Sequence, residues 1–381
     1  MKIKKVVSLI LLATLTMAMM LGCGRSDKEA NAKGAEGKET EVAEVTEAPT
    51  EGNTSTEASV TDAGKIDIPT GHVADTVKIG FVDVSGSGIL SDTLGVARDQ
   101  GFIEKEFKTI GVKAELVPMT GAGPAINEAL ASNNLDIGFL GDVPAIIGKA
   151  AGIETQLISS SGQNSGASLV VTKGAGYTSV NDLKGKKIAT QKGAFMHKVL
   201  IDILEANGLT IKDIEFINVN AQGAAEAFIS GNVDGVVVGG STLTNLIEGD
   251  YGEVLVDYRE HPEWNCGGYG IARTKFVEEN PDIIYALIKA LVKAQQLAKT
   301  DTDILLNQWV TTGNTASAYE YLYPKHDNYF AISASEEMIE SGKATIQFLL
   351  DNELIANGFT FEDWIDNTFY DAAYDELGIS E

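Results

Sequence analysis

From Val77 to Val238, short apolar or β-branched runs alternate with helical patterns, and this alternation constrains the fold more than any other feature of the chain. The runs are Val77–Val82, Ala114–Pro118, Asp136–Leu140, Thr155–Ile158, Leu169–Thr172, Lys187–Thr190, Glu215–Val219 and Gly235–Val238. Strands spaced by helices predict an α/β protein built from wound sheets. Between them, Met196, Val199, Leu200, Ile203 and Leu204 fall on one face of a helix predicted over Phe195–Ala206, and Asn207-Gly208 stops it. Beyond residue 271 helices take over: Thr274–Glu279, a helix opening at Asn280-Pro281, and one starting near Ser333, where Ser333 and Glu336 have capping-box spacing, that runs to about Leu350. Roughly 300 residues of ordinary globular composition exceed what one core organises, so two lobes are expected.

The first residues have a different logic. Lys2, Lys4 and Lys5 precede an apolar run, Val6 to Met20, followed by Leu21-Gly22-Cys23. A basic start, a short hydrophobic core and a small residue before cysteine predict a lipoprotein signal over residues 1–22, with Cys23 as the lipidated residue. The run is shorter than the roughly 20 residues a bilayer span requires. Residues 23–75, rich in Glu, Thr, Ala, Gly and Ser, read as a disordered acidic tether. The expectation is an exported protein, held outside the cytoplasm on the bacterial membrane through Cys23. With Cys23 lipidated, Cys266 is the one cysteine left, so no intramolecular disulfide forms, and a buried structural role is assigned to it.

A formal net charge of −25 argues against nucleic acid, whose recognition needs clustered Lys and Arg. An anionic ligand would have to be held by local dipoles. Suitable donors are at hand, because several strands run into Gly-rich loops that open helices: Ser85-Gly86-Ser87-Gly88, Thr120-Gly121-Ala122-Gly123, Gly141-Asp142-Val143-Pro144, Lys192-Gly193-Ala194 and Gly239-Gly240-Ser241-Thr242. In open α/β sheets ligands bind outside the carboxyl ends of strands, where helix starts present free N–H groups. The alternative is that each loop is merely a tight connection. The first loop lacks the third glycine of a dinucleotide fingerprint, since Ser91 stands there, so no nicotinamide cofactor is expected. His72, His197, His261 and His326 have no metal-ligand spacing, and no nucleophile elbow or zinc motif occurs. No metal, cofactor or catalytic residue is therefore assigned. His197 is either a ligand contact or a satisfied histidine. Among the aromatics Trp264, Tyr269, Trp309, Tyr319, Tyr321, Tyr323 and Trp364, which serve either core or pocket, Tyr269 is the pocket candidate because Gly267-Gly268-Tyr269-Gly270 lies at an expected crossing between lobes.

Four motifs carry a family resemblance: Leu135-Asp136-Ile137-Gly138-Phe139-Leu140-Gly141-Asp142-Val143-Pro144, Val180-Asn181-Asp182-Leu183-Lys184-Gly185-Lys186-Lys187-Ile188-Ala189, Lys192-Gly193-Ala194-Phe195-Met196-His197 and Gly231-Asn232-Val233-Asp234-Gly235. From about Val77 onward the chain resembles solute-binding proteins of the aliphatic sulfonate, taurine and nitrate ABC-importer family. The resemblance implies a type II periplasmic-binding-protein fold, with lobe 1 from 76–167 plus 271–381, lobe 2 from 168–270, and crossovers near Gly166–Ser168 and Gly267–Ile271. It implies a monomeric receptor that catalyses nothing and hands a small anion, an aliphatic sulfonate or taurine, to permease subunits. Implied ligand contacts are Ser85, Gly86, Ser87, Gly121, Gly141, Asp142, Lys192, Gly193, His197, Gly240 and Ser241, with Ser160 and Gly162 after the fourth strand. Ala194 stands where relatives often have a hydroxyl residue, and Gly239-Gly240-Ser241-Thr242 where they often have Trp, an acidic residue and Pro. Nitrate, a thiamine-precursor pyrimidine or another metabolite are the alternative ligands, and an enzyme on the same fold is the alternative class.

Overall fold

A computed structural model of the protein describes residues 59–60, 66–83, 88, 90, 92–261, 264, 266–301, 303–324 and 332–379, without the side chains of 59–60, 162–165 and 266. The signal, Cys23, most of the tether and the Ser85-Gly86-Ser87 loop lie outside the described residues. No described helix is long and apolar enough to cross a membrane.

Among the described residues, twelve strands form two five-stranded sheets and one short pair. The pair is β1 (Ser59–Val60) with β2 (Ile66–Asp67). The first sheet has the order β4-β3-β5-β12-β6, from β3 (Thr76–Val82), β4 (Lys113–Met119), β5 (Ile137–Gly141), β6 (Thr155–Ser165) and β12 (Cys266–Arg273). The second has the order β11-β7-β10-β8-β9, from β7 (Ala167–Thr172), β8 (Lys187–Thr190), β9 (Glu215–Asn218), β10 (Gly235–Gly239) and β11 (Gly252–Val256). Each sheet is mixed. β3 runs parallel to β4 and β5, and β8 to β9 and β10, while β12 and β7 return antiparallel. All eight predicted strands are present. Four are additional: β1 and β2 fall within the expected tether, β11 is short and carries Gly and Glu, and Gly267, Gly268 and Gly270 hide β12 from any β-propensity reading.

Helices cover both faces of each sheet. α1 (Thr93–Asp99) and α2 (Phe102–Ile110) pack with the long α9 (Pro281–Thr300) on one face of the first sheet, burying Ile79, Phe107, Ile284 and Leu287. α3 (Ala122–Ala131), α4 (Asp142–Ala150) and α12 (Glu336–Asp351) cover the other. On the second sheet α5 (Phe195–Ala206) buries Val199, Leu200, Ile203 and Leu204 against Leu169, Ile188 and Val237, as its spacing predicts. α6 (Ala221–Ile229) and α7 (Gly240–Glu248) take the opposite face through Ala224, Phe228, Leu243 and Leu246.

Three expectations change. The folded body begins before Val77, because Ile68 is buried in the core, His72 Nδ1 lies 2.7 Å from Asp282 Oδ2, and the N–H groups of Val73 and Ala74 donate to Asn280 Oδ1 at 2.9 and 3.0 Å. Asn280 thus ties down the incoming chain instead of capping α9, where Pro281 still takes the first position. α12 is capped by Ser335, which accepts from the Met338 N–H, and not by Ser333. Finally, α10 (Asp303–Thr311) and α11 (Ala316–Leu322) do not belong to the first sheet alone. Gln308 donates to Asp99 on α1, whereas Thr315 and Ser317 donate to Glu248 on α7 at 2.7 and 2.8 Å. This helix pair straps the two sheets together.

The chain passes between the sheets at Gly166, as expected, and again between Val256 and Cys266, ahead of the expected Gly267–Ile271, which lies inside β12 of the first sheet. Gly166 is required sterically, since a Cβ there would overlap the Tyr258 ring. Tyr258 in turn donates its hydroxyl to the Leu322 carbonyl at 3.3 Å, so the crossing and the strap share one anchor.

Candidate functional site

Strands β3, β5 and β10 all end at one crevice, and Gln191 follows β8 into it. The result is a cavity of about 960 Å³ with Phe81, Val82 and Phe139 from the first sheet and Val238 and Gly239 from the second. It lies outside the carboxyl ends of the strands, as expected for open α/β sheets.

Four helices open onto this cavity: Ala122 begins α3, Gly141 precedes α4, Ala194 precedes α5, and Gly240-Ser241-Thr242 form the first turn of α7. None of the four has a side-chain hydrogen bond from its N-cap residue. Two further helices that start at the cavity are capped, α1 by Asp92 and α6 by Asn220, and α2 and α9 away from it are uncapped as well, so it is the convergence of these four starts that marks the site. The first-turn N–H groups of a helix have no intrahelical acceptor, and the dipole makes that end electropositive. Uncapped starts converging on one cavity therefore provide a donor-rich surface suited to an anion. One donor is already used, because the Asp142 carboxylate accepts from the Val143 N–H at 2.6 Å. Two of these starts are conformationally unusual: Gly240 has φ 53° and Ala122 has φ 55°, the left-handed region that an alanine enters only at a cost.

Another part of the wall is acidic and aromatic. Asp83 is buried, with Oδ2 accepting from the Gly88 N–H at 2.5 Å. Asp92 caps α1, accepting from the Gly95 N–H at 2.8 Å, and burial pushes its carboxyl above the ordinary range against the opposing pull of that N–H and of Arg98. Trp309, Tyr323 and Tyr258 complete this part. Burial, followed by the nearby Tyr319 and Asp92, pushes the Tyr323 hydroxyl up to about 12. Among the described lining residues there is no Lys, Arg or His.

Of the residues singled out in the sequence, Gly141, Gly240 and Ser241 line the cavity. Gly121 sits just behind it, its carbonyl accepting from Gln191 Nε2 at 3.5 Å across the crevice. Ser160 is buried beside the lining Ser161, and Gly162 pairs with the lining Gly268. Asp142 is fully buried under the wall, where burial pushes its carboxyl up to about 6 despite the Val143 N–H and Lys198. Lys192 turns to solvent, its N–H donating to Asn218, and Gly193 serves the turn with φ 78°. His197 does not line the cavity. One helical step past Ala194–Met196 it packs on Phe216, with ring centroids 5.1 Å apart, and burial followed by Lys192 lowers its pKa to about 4. Tyr269 does not line it either. Side chains alternate along a strand, so while Gly268 faces the cavity, Tyr269 enters the core against Phe361 and Trp364 at 5.9 and 5.8 Å. Asp83, Asp92, Gln191, Asn245 and Thr312-Gly313-Asn314 were not legible as site residues. Asp92 alone carried a signal, as an acidic N-cap ahead of a helix.

A family model described as NMT1/THI5 like matches residues 93–303. The chain belongs to the NMT1/THI5-like family. Among its relatives, a candidate aliphatic sulfonates-binding protein of Bacillus subtilis is 28% identical over 282 residues, covering 74% of this chain and 84% of that protein. The taurine-binding periplasmic protein of Escherichia coli is 31% identical over 191 residues, covering 49% and 58%. A solved structure of a candidate periplasmic sulfonate-binding protein from Methylobacillus flagellatus superposes with a TM-score of 0.66 at 28% identity, over 81% of this chain and 97% of that one. The architecture is thus that of the two-lobed periplasmic binding proteins, with the cavity between the lobes. The NMT1/THI5-like fold is not confined to receptors: a desulfurization enzyme superposes with a TM-score of 0.65 at 16% identity, over 80% of this chain and 99% of that one, a likeness of fold alone.

Proposed function

We propose that the protein is the extracytoplasmic receptor of an ABC importer, that it captures a small sulfonate between its two lobes, and that it catalyses no reaction. The observation carrying this reading is the convergence of four uncapped helix starts, α3, α4, α5 and α7, on one cavity. A sulfonate offers three acceptor oxygens and one negative charge that is not lost at any physiological pH. Backbone N–H groups and the Ser241 and Thr242 hydroxyls supply matching donors, with no basic side chain among the described lining residues. The similarity to proteins named for sulfonate and taurine binding supports the same ligand class.

A cavity of about 960 Å³ leaves room around so small a ligand. Tight capture accordingly requires the lobes, each built on one of the two five-stranded sheets, to close by hinge motion, and the closed form is the one a permease should engage. Residues 1–22 serve as the export signal and Cys23 carries the lipid, leaving the receptor on a tether at the membrane surface. The receptor acts as a monomer.

Trp309 and Tyr323 on the wall favour one second reading, an aromatic heterocycle such as a pyrimidine. A thermal-shift screen of the protein against alkanesulfonates, 2-aminoethanesulfonate, nitrate and pyrimidines separates the two. A ligand that binds only the folded state raises the melting temperature. A rise with sulfonates supports the reading. A rise with pyrimidines alone, or none with any sulfonate, contradicts it.

A further inference from the structure

We infer that Glu248, Thr315 and Ser317 form a latch that holds the lobes short of closure, so that three residues outside the cavity set how tightly it retains a ligand. The inference rests on the lobe closure proposed above and not on the identity of the ligand.

The latch joins two bodies that both build the cavity wall. On one side is α7, whose first turn, Gly240-Ser241-Thr242, lines the cavity and whose last residue, Glu248, lies about 12 Å further along the same helix. On the other is the α10–α11 strap, whose elbow, Thr312-Gly313-Asn314, lines the cavity with Gly313 at φ 87°. Thr315 and Ser317 follow the elbow, and both hydroxyls donate to Glu248 Oε1, at 2.7 and 2.8 Å, while standing 3.0 Å from each other. These hydroxyls hold the Glu248 carboxyl below its usual range, so the acceptor is the carboxylate. None of the three residues lines the cavity.

Each body is fixed to its own sheet. The strap is carried by the first: Gln308 Nε2 donates to Asp99 on α1 at 2.9 Å, and the Trp309 indole N–H donates to the Thr315 carbonyl at 2.9 Å, which makes α10 and the start of α11 one unit. α7 packs on the second sheet through Leu243 and Leu246. The far end of α11 is pinned at the crossing between the sheets, where the Arg259 guanidinium lies 3.8 Å over the Tyr321 ring and the Tyr258 hydroxyl donates to the Leu322 carbonyl at 3.3 Å. The latch therefore sits one length of α11, about 10 Å, out from the crossing. A closing rotation of about 15° swings it by roughly 2.5 Å, more than an O–H···O hydrogen bond tolerates. Both bonds are fully made with the cavity still at about 960 Å³, so they stabilise the arrangement before closure and oppose the one after it. A receptor whose binding-competent form is a minority state binds more weakly by that fraction, so releasing the latch tightens capture.

Titration calorimetry on the full chain with ethanesulfonate and 2-aminoethanesulfonate, together with small-angle X-ray scattering of the ligand-free protein, tests this. Glu248→Ala, which removes two hydrogen bonds to a charged group, should bind either sulfonate about tenfold more tightly and scatter as a more compact particle than the wild type. Ser317→Ala, which leaves the Thr315 cap of α11 in place, should tighten binding about threefold, so that one variant failing to fold does not remove the test. Glu248→Gln, which keeps an acceptor oxygen, should fall between the wild type and Glu248→Ala. A merely structural role would lower stability and leave affinity unchanged. Unchanged or weaker binding in Glu248→Ala would overturn the inference. If no protein binds a sulfonate, the sulfonate reading falls and the scattering alone decides: a more compact Glu248→Ala upholds the latch, and identical profiles overturn it.

Discussion

The two parts of the cavity wall solve opposite problems with different parts of the chain. Where α3, α4, α5 and α7 begin, the wall is backbone, and its electropositive character comes from helix ends left uncapped. Where α1 meets the α10–α11 strap, the wall is side chain: Asp83, Asp92, Trp309 and Tyr323. The first part reads a charge through fixed dipoles, and so depends on glycine and small residues that keep the backbone accessible. The second reads chemistry through side-chain identity, and can be retuned by single substitutions without touching the sheets. On the proposed function, the difference places anion recognition in the architecture and ligand specificity where side chains around α1 meet a helical layer after residue 300.

The largest effect comes from uncoupling the two parts. Gly166→Ala would drive a Cβ into the Tyr258 ring at the point where the crossing and the strap share an anchor. Rigid surroundings cannot absorb that overlap, so a loss of more than about 3 kcal/mol in urea unfolding is expected. A loss below about 1 kcal/mol would show that the anchor is soft.

Proton linkage separates the lobes next. Asp142, at about 6 against 3.8 unfolded, holds a proton in the folded state that the unfolded chain has already released. Its stabilising contribution is complete below pH 3.8 and is lost as pH rises through about 6. His197, at about 4 against 6.5, does the reverse: its contribution is complete above pH 6.5 and is lost as pH falls through about 4. Each amounts to at most about 3 kcal/mol, and the two oppose each other across most of the same window. Unfolding measured between pH 4 and 6.5 should therefore rise more steeply with pH in Asp142→Asn and fall with pH in His197→Asn. Identical slopes in both variants would contradict the assignment.

The legibility of the sequence divides along the same line. Eight strands with a β-branched or apolar run were visible, although β11 with Val254-Leu255-Val256 was not, and so were Gly141, Gly240 and Ser241, because a glycine-rich strand-to-helix loop states its own geometry. The side-chain part was only half visible: Trp309 and Tyr323 stood among the aromatics for core or pocket, but not their meeting with the acids. Trp309 and Tyr323 reach Asp83 and Asp92 across more than two hundred positions of sequence, and nothing local to either segment records the meeting. Tyr269 and His197 show the converse error. Each adjoins a cavity residue, but strand alternation turns one into the core and helical rotation turns the other onto Phe216. Ser333 and Ser335 differ by a register that the capping-box rule alone does not resolve.

Smaller effects sharpen the backbone part. Gly240 and Ala122 occupy equivalent left-handed positions at the starts of α7 and α3, one in each lobe. Gly240→Ala should cost about 1 kcal/mol and Ala122→Gly should return a similar amount, both read by urea unfolding. The same sign in both would show that the two helix starts are not comparable. The smallest effect is expected at Tyr269→Phe, which should lower stability by about 1 kcal/mol and leave sulfonate affinity within about twofold. A large loss of affinity would return Tyr269 to the site.

The most direct test of the account is a crystal structure of the protein with 2-aminoethanesulfonate. The sulfonate oxygens should sit on the N–H groups and hydroxyls of Gly240-Ser241-Thr242 and at the Ala194 start of α5. A ligand found outside this cavity, or bound with its sulfonate toward Asp83 and Asp92, would contradict it.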